Sequence, residues 1–292
     1  MSLLNYLTES IPFGGFLVPI AVLVLLPFMG LLMMGLDRKI SARMQNRIGP
    51  PIMQPFYDII KLMRKSELYT NKTALVFAVA HLAFMFTTGL FVVFQQDLIV
   101  IFFTLTLSMI FKALGAFSTQ SPYAYLGGYR QLIRTFAVET LFLMAIVTIG
   151  IDRGTFMLSD ILDGTHTPMI IMMPLTFVVM VIVFIVAMEK PPFNIPSAHS
   201  EIVQGPLSDY SGRWFALFKL AHAMELGILV LALYLFLFPY LSVGIIIIAL
   251  SFFVVLVIGN ATTRTTYKGL VKFSFTVGLG LVIANMLFIL LV

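Results

Sequence analysis

Three residues of one predicted helix, Lys219, His222 and Glu225, follow each other at intervals of three positions. Residues three apart are neighbours on a helical surface, so these side chains are expected to line one face. Each of them can bind and release a proton, and histidine does so near neutral pH. The spacing therefore predicts a ladder that passes protons stepwise along the helix. The alternative is a self-compensating ion pair without a transport role.

Another candidate proton-binding group is Glu139, which lies nine residues after Arg130 in a different apolar segment. Because a helix rises about 1.5 Å per residue, this carboxyl is expected about 14 Å deeper than the arginine. A charge near the bilayer centre costs at least about 3 kcal/mol on insertion scales. Glu139 and the similarly deep Glu225 must therefore face protein, water or a partner chain. The alternative is a neutral glutamate that hydrogen-bonds for packing.

The composition places these groups in a membrane protein. The chain has 292 residues, of which 60% are hydrophobic and 11% charged, whereas soluble domains carry about 25% charged residues. Several apolar runs exceed the roughly 20 residues that cross a bilayer core. The sequence therefore predicts an all-α membrane protein of one domain with eight transmembrane helices. Their approximate ranges are 15–36, 74–95, 97–117, 129–151, 168–189, 213–238, 240–260 and 269–292.

The distribution of Lys and Arg predicts the orientation, since cytoplasmic loops carry an excess of these residues. Nearly all of them fall in or beside alternate connections, and the opposite side has only Arg153. The predicted cytoplasmic loops are 37–73, 118–128, 190–212 and 261–268. An even number of spans then puts both termini outside the cell membrane. No basic segment precedes the first apolar run, so we expect no cleavable signal peptide. The net charge of +5 is thereby explained without a nucleic-acid partner.

The first cytoplasmic loop carries more positive charge than orientation requires. Within it, residues 54–65 place Phe56, Ile59, Ile60 and Met63 on one helical face. This pattern predicts a short amphipathic helix that lies on the membrane surface or against a partner. We favour the docking of a partner.

The loop after the fifth predicted span contains Glu189, His199, Glu201 and Asp209 among four prolines, which prevent a simple helix. Irregular polar backbone beside a membrane is tolerated mainly where it lines a cavity or contacts protein. A solvated loop is the alternative. The chain has no cysteine, which excludes cysteine-ligated iron–sulfur clusters within it. It also shows no catalytic motif, so any redox chemistry is expected in another chain.

At these residues the sequence resembles the subunit-1/H family of respiratory complex I and its membrane-bound hydrogenase relatives, over nearly the whole chain. Glu139 matches the family's buried acid. The matching positions of the first loop are Asp37-Arg38-Lys39, Arg43, Gln45, Arg47, Gly49-Pro50, Gln54-Pro55, Asp58 and Lys61-Leu62. Those of the third cytoplasmic loop include Pro192-Phe193, Pro196, Ala198, Glu201, Gly205 and Tyr210-Ser211-Gly212.

Departures from the quinone-reducing members indicate the subtype. Only Pro51-Ile52-Met53 separates Gly-Pro from Gln-Pro, where those members have a longer insertion. Three acids of their third loop are replaced by Asn194, Ser197 and His199, and His222 stands at their sixth-helix acid. These differences resemble energy-converting nickel–iron hydrogenases and the related ferredoxin-dependent sulfur-reducing complex, which use no quinone.

The resemblance implies a strongly tilted, irregular bundle that couples electron transfer to H⁺ or Na⁺ movement. It implies no cofactor in this chain, with iron–sulfur clusters, and in hydrogenases nickel–iron, in cytoplasmic redox-arm subunits. Antiporter-like membrane subunits are the other implied partners. The implied relay residues are Glu139, Glu189, Glu201, Asp209, Lys219, His222 and Glu225. The implied docking residues are Asp37, Arg38, Lys39, Arg43, Arg47, Asp58, Lys61 and His199. A quinone oxidoreductase subunit and a stand-alone secondary transporter are the alternatives.

Overall fold

A computed structural model describes residues 14–66, 71–163 and 167–291, without the side chains of 14–19 and 199–200. The described chain is helical, and its only β-type pairing is an isolated bridge between Asp97 and Met157. Its α-helices, α1 to α13, are Gly14–Met44, Gln54–Arg64, Lys72–Val93, Leu98–Phe117, Pro122–Arg153, Leu158–Ile161, Met169–Met172, Pro174–Ala187, His199–Ile202, Gly212–Leu235, Leu241–Ala261, Tyr267–Phe273 and Leu279–Leu291. A π-helical turn, Ser274–Gly278, joins α12 to α13. The start of the chain, where a signal peptide would lie, and Val292, the predicted end of the last span, fall outside the described residues.

Seven helical segments in the described ranges are long and apolar enough to cross a membrane. They are α1, α3, α4, α5, α10, α11 and the continuous stretch Tyr267–Leu291. The prediction of an all-helical membrane chain is confirmed at this level. The remaining predicted span, 168–189, is instead interrupted at Met173 and divided into α7 and the 14-residue α8. Pro174, which lacks a backbone N–H, begins α8 and accounts for the interruption.

Two predicted boundaries differ from the structure. Helix α1 ends at Met44 rather than at position 36, because no proline or glycine interrupts the basic segment after Leu36. Asp37, Arg38, Lys39 and Arg43 therefore lie on a helix and not in a loop. Helix α5 begins at Pro122 rather than at position 129, since proline is favourable in a first helical turn.

Helix α10 lies at the centre of the bundle, where it packs against α1, α2, α3 and α8. In its most apolar stretch 67% of the residues are buried, against 22% for α11 and for Tyr267–Leu291. Its crossing with α1 is close because a Cβ on Gly227 would collide with the carbonyl of Leu26, and one on Gly30 with that of Ala223. Small residues at such crossings let backbones approach, as is common between membrane helices.

The predicted amphipathic helix is present as α2. Pro55 in its first turn is buried, and the ring of Phe56 lies 5.2 Å from that of Phe28 in α1. Its outer face exposes Tyr57, Ile60 and Met63. One side of α2 is thus bound to the bundle, and the other presents apolar and basic groups.

Candidate functional site: a buried charge cluster

Five ionisable side chains meet inside the bundle and form what we term the buried charge cluster: Lys112, Arg134, Glu189, His222 and Glu225. Lys112 Nζ lies 3.0 Å from Glu189 Oε1, and Arg134 Nη1 lies 3.5 Å from the same oxygen. Arg134 Nη2 lies 3.6 Å from Glu225 Oε1, and His222 Nδ1 lies 3.0 Å from Glu225 Oε2. The pairs form one continuous chain in which Arg134 joins the two carboxylates.

Four elements supply these groups. Lys112 comes from α4, Arg134 from α5, and both His222 and Glu225 from α10. Glu189 follows α8, where its backbone has a left-handed φ of 52°. Such a backbone costs a non-glycine residue about 1–3 kcal/mol and persists only where the surroundings enforce it. The two cations that bind its carboxylate provide that enforcement.

The environment of Glu189 favours its ionised form. Burial by itself would raise the pKa of this carboxyl, but Lys112 and Arg134 beside it more than offset that effect. His222 and the Ser197 hydroxyl, which donates to Glu189 Oε2 at 2.7 Å, act in the same direction. The pKa of Glu189 is therefore held well below its usual range, and Glu189 accepts a proton only when the charge around it changes.

Glu139 lies close to this cluster without joining it. Its Oε2 accepts a hydrogen bond from Thr106 Oγ1 at 3.1 Å, and the residue is partly exposed at the bundle surface. A cavity of about 20 Å³ is lined by Glu139, Arg134 and Glu225, together with apolar side chains of α4, α5, α8 and α10. About 10–15 Å³ is enough for one water molecule when polar partners are present. The cavity can therefore connect Glu139 to the buried charge cluster through a single water.

The predicted ladder on α10 divides into two parts. His222 and Glu225 contact each other in the cluster, whereas Lys219 faces α2, with its Nζ 3.9 Å from Asp58 Oδ2 and over the ring of Phe215. Arg38 Nη1 in α1 also binds Asp58 Oδ2, at 2.9 Å. Asp58 thus links α1, α2 and α10. Burial alone would raise its pKa, but the hydrogen bonds from Arg38 and Gln54 and the charge of Lys219 lower it.

Two further predicted relay acids lie apart from the cluster. Glu201 pairs with Arg130 of α5 at 2.6 Å and has a side chain that is 51% exposed. Asp209 is contacted by the neighbouring Ser208 hydroxyl at 3.3 Å. Within the described contacts, neither carboxylate reaches Glu189 or Glu225. These residues can respond to a partner at the surface but are not part of the internal chain of charges.

The predicted docking residues fall into two groups. Asp37, Arg38 and Asp58 bind within the chain, since Asp37 Oδ2 lies 2.7 Å from Lys190 Nζ and Arg38 pairs with Asp58. The others point outward or are partly exposed. These are Lys39, Arg43, Arg47, which contacts Gln45, and Lys61. His199 begins α9, but its side chain lies outside the described residues.

Sequence reasoning missed Lys112 and Arg134 as members of the site, because it treated them as charges that set orientation. Both are almost fully buried, with side chains 6% and 4% exposed. A signal was present: Lys112 lies within an apolar helix, and Arg134 lies one helical turn deeper than Arg130. In the described ranges no group of three or more His, Cys, Asp or Glu residues could hold a metal ion.

Comparisons with known proteins agree with this architecture. The family model described as NADH dehydrogenase matches residues 17–290. "Hydrogenase-4 component C" of Escherichia coli K12 is 30% identical over 216 residues, which are 68% of this chain and 68% of that protein. "Formate hydrogenlyase subunit 4" of the same organism is 28% identical over 64% of this chain and 66% of its own length. The corresponding values for an NADH-quinone oxidoreductase subunit of Syntrophotalea carbinolica are 28%, 66% and 67%.

A solved structure shares the fold. It is a chain of "the membrane-bound sulfane sulfur reductase (MBS), an archaeal respiratory membrane complex", with a TM-score of 0.82 and 24% sequence identity. The superposition covers 94% of this chain and 99% of that chain. The sequence matches to curated relatives span about two thirds of each. The family expectation is confirmed: the chain belongs to the NADH dehydrogenase family, the subunit-1/H family of complex I and its hydrogenase relatives.

Proposed function

We propose that this chain is the membrane subunit of a ferredoxin-dependent, complex-I-like respiratory complex of the membrane-bound hydrogenase type. It anchors a peripheral redox arm and couples electron transfer to H⁺ or Na⁺ translocation. Similarity to hydrogenase components supports this function. One observation carries it: the chain of ion pairs from Lys112 to His222 ends at a small cavity that Glu139 also lines.

The proposed topology has eight crossings in the cell membrane. At about 1.5 Å per residue, the 14 residues of α8 span about 21 Å. That is less than the roughly 30 Å of hydrocarbon, so α7 and α8 together make the eighth crossing. Both termini then lie outside, and the basic connections lie in the cytoplasm. In this arrangement α2 is on the cytoplasmic face.

The proposed coupling starts where the redox arm contacts the loop 190–212. A charge change in the arm alters the proton affinity of Glu189, with Glu201 and Asp209 responding at the surface. When Glu189 accepts a proton, Arg134 loses one of its two carboxylate partners and binds Glu225 more strongly. Two unit charges 4 Å apart interact by about 4 kcal/mol at an effective dielectric constant of 20, enough to move a proton equilibrium. His222, Glu225 and the cavity then convey the change to Glu139.

Glu139 is the proposed exit from this subunit. Its partial exposure allows it to contact an antiporter-like membrane subunit, which would carry the H⁺ or Na⁺. The redox arm itself is proposed to bind the outward-facing docking residues Lys39, Arg43, Arg47 and Lys61, with the loop that contains His199. Iron–sulfur clusters, and nickel–iron in a hydrogenase, would belong to the arm.

The test is Glu139→Gln in the assembled complex in inverted membrane vesicles. We expect electron transfer from reduced ferredoxin to persist while ion pumping falls at least about ten-fold, within the range for loss of one proton-transfer group. Asp152→Asn is the matched control, a carboxylate-to-amide change at the other end of α5, and should leave pumping intact. Unchanged pumping in Glu139→Gln would overturn the relay.

Similarity to a quinone oxidoreductase subunit favours that function as the second candidate. The replacements at Asn194, Ser197 and His199 argue against it. The two are separated by the quinone content of the purified complex and by the identity of the chains that co-purify. A stand-alone transporter would instead move ions as the single purified chain in liposomes.

A further inference from the structure

An open groove of about 550 Å³ lies on the outside of the bundle, between α5 and α12. Its apolar wall consists of Leu132, Ile133 and Phe136 from α5 and Val271 from α12. The Phe136 side chain is strongly exposed, and its ring lies 5.8 Å from that of Phe275. A hydrocarbon chain laid along this wall would cover apolar surface from both helices.

Two lysines and a tyrosine occupy the other end of the groove. Lys268 and Lys272 are one helical turn apart on α12, both are exposed, and Tyr267 lies beside them. In the part of the chain that the structure describes, neither ammonium group has an ion-pair partner, and the groove has no acidic lining residue. Tyrosine and lysine at the end of a membrane helix are typical of the headgroup level.

We propose that this groove binds one anionic phospholipid. Its phosphate lies between the ammonium groups of Lys268 and Lys272, and one of its hydrocarbon chains lies along Leu132, Ile133, Phe136 and Val271. Basic pockets between membrane helices recognise anionic headgroups in this way. A free phosphate would leave the apolar wall uncovered, and a partner protein with basic side chains would be repelled. The lipid fixes α12 against α5, the helix that carries Arg134 and Glu139.

The experiment compares two double variants of the full complex, Lys268→Gln/Lys272→Gln and the charge-matched control Lys65→Gln/Lys72→Gln. Each is delipidated and titrated with vesicles containing phosphatidylglycerol or only phosphatidylcholine, and bound lipid is counted by native mass spectrometry. We expect the control to retain one phosphatidylglycerol that the groove variant binds about 30-fold more weakly, at about a factor of five for each lysine near a charged headgroup. Phosphatidylcholine should bind the two variants equally and weakly.

A second measurement identifies what covers the groove. A photoreactive benzophenone side chain at position 136 should crosslink to phospholipid in native membranes, and inorganic phosphate should not prevent this. Equal phosphatidylglycerol binding by the two variants would overturn the proposal. Crosslinking to a protein chain would also overturn it. Neither readout depends on ion pumping, so the lipid site stands or falls separately from the coupling function.

Discussion

Arg134 reaches Glu225 from another helix, with Nη2 3.6 Å from Oε1 in the interior of the bundle. The same guanidinium lies 3.5 Å from Glu189 Oε1 and donates to the Val186 carbonyl at 3.2 Å. One rigid, always charged group therefore binds two carboxylates of different elements. A change at either carboxylate alters the field at the other, which makes Arg134 the central link of the buried charge cluster.

The first prediction concerns this link. Arg134→Gln should leave two buried carboxylates short of positive charge, and removal of one partner of a buried pair costs about 3–5 kcal/mol. We expect a much lower yield of assembled complex. Arg134→Lys keeps the charge but cannot span both carboxylates, so it should assemble and pump poorly. Ion pumping and ferredoxin oxidation in vesicles measure the two effects separately.

A second variant separates coupling from stability. Arg134→Gln/Glu225→Gln removes one charge of each sign and should recover assembly relative to Arg134→Gln, without recovering pumping. Arg130→Gln, which breaks only the surface pair with Glu201, is the control and should cost about 1 kcal/mol or less. Normal pumping by the assembled double variant would show that the cluster is only structural.

The second prediction concerns docking. Arg43→Glu/Arg47→Glu should weaken binding of the redox arm about ten-fold, because each exposed charge contributes up to about 1 kcal/mol and 1.4 kcal/mol is tenfold. Salt washing of membranes, followed by assay of the arm proteins released, measures the change. Lys72→Glu is a control on the same proposed face. If the arm stayed bound at the wild-type salt concentration, these arginines would have no part in docking.

The third prediction concerns α2 and pH. The pKa of Asp58 is lowered in the folded chain, so its ion pairs stabilise α2 above the unfolded pKa of about 4 and are lost as pH falls further. Hydrogen exchange of Gln54–Arg64, corrected for intrinsic rates, should show protection that falls below about pH 4.

Asp58→Asn should remove this dependence on pH and speed exchange about five-fold at pH 7, which corresponds to about 1 kcal/mol. Lys61→Gln, on the exposed side of α2, is the control and should behave as wild type. A wild-type pH profile in Asp58→Asn would contradict the assigned role of this carboxylate.

The sequence allowed much of this architecture to be predicted, with limits that have physical reasons. Hydropathy located α3, α4, α10 and α11 nearly to the residue, because long apolar runs have few other solutions. It did not identify Lys112 and Arg134 as buried pair-forming groups. Depth along a helix follows from residue spacing, whereas the neighbour that a side chain meets depends on how helices rotate and cross. The left-handed backbone of Glu189 is likewise a product of tertiary contacts.

The last prediction concerns the crossing that positions Glu225. A Cβ at Gly227 would collide with the Leu26 carbonyl, whereas one at Gly280 would meet nothing within 4 Å. Gly227→Ala should therefore cost about 1–3 kcal/mol of overpacking, measured as a fall in Tm of several degrees. Gly280→Ala is the matched control and should not lower Tm. Because α10 must move away from α1 to relieve the collision, Glu225 should shift relative to Arg134, and pumping should fall more than ferredoxin oxidation. A lower Tm with an unchanged ratio of ions pumped to electrons transferred would show that coupling tolerates this displacement.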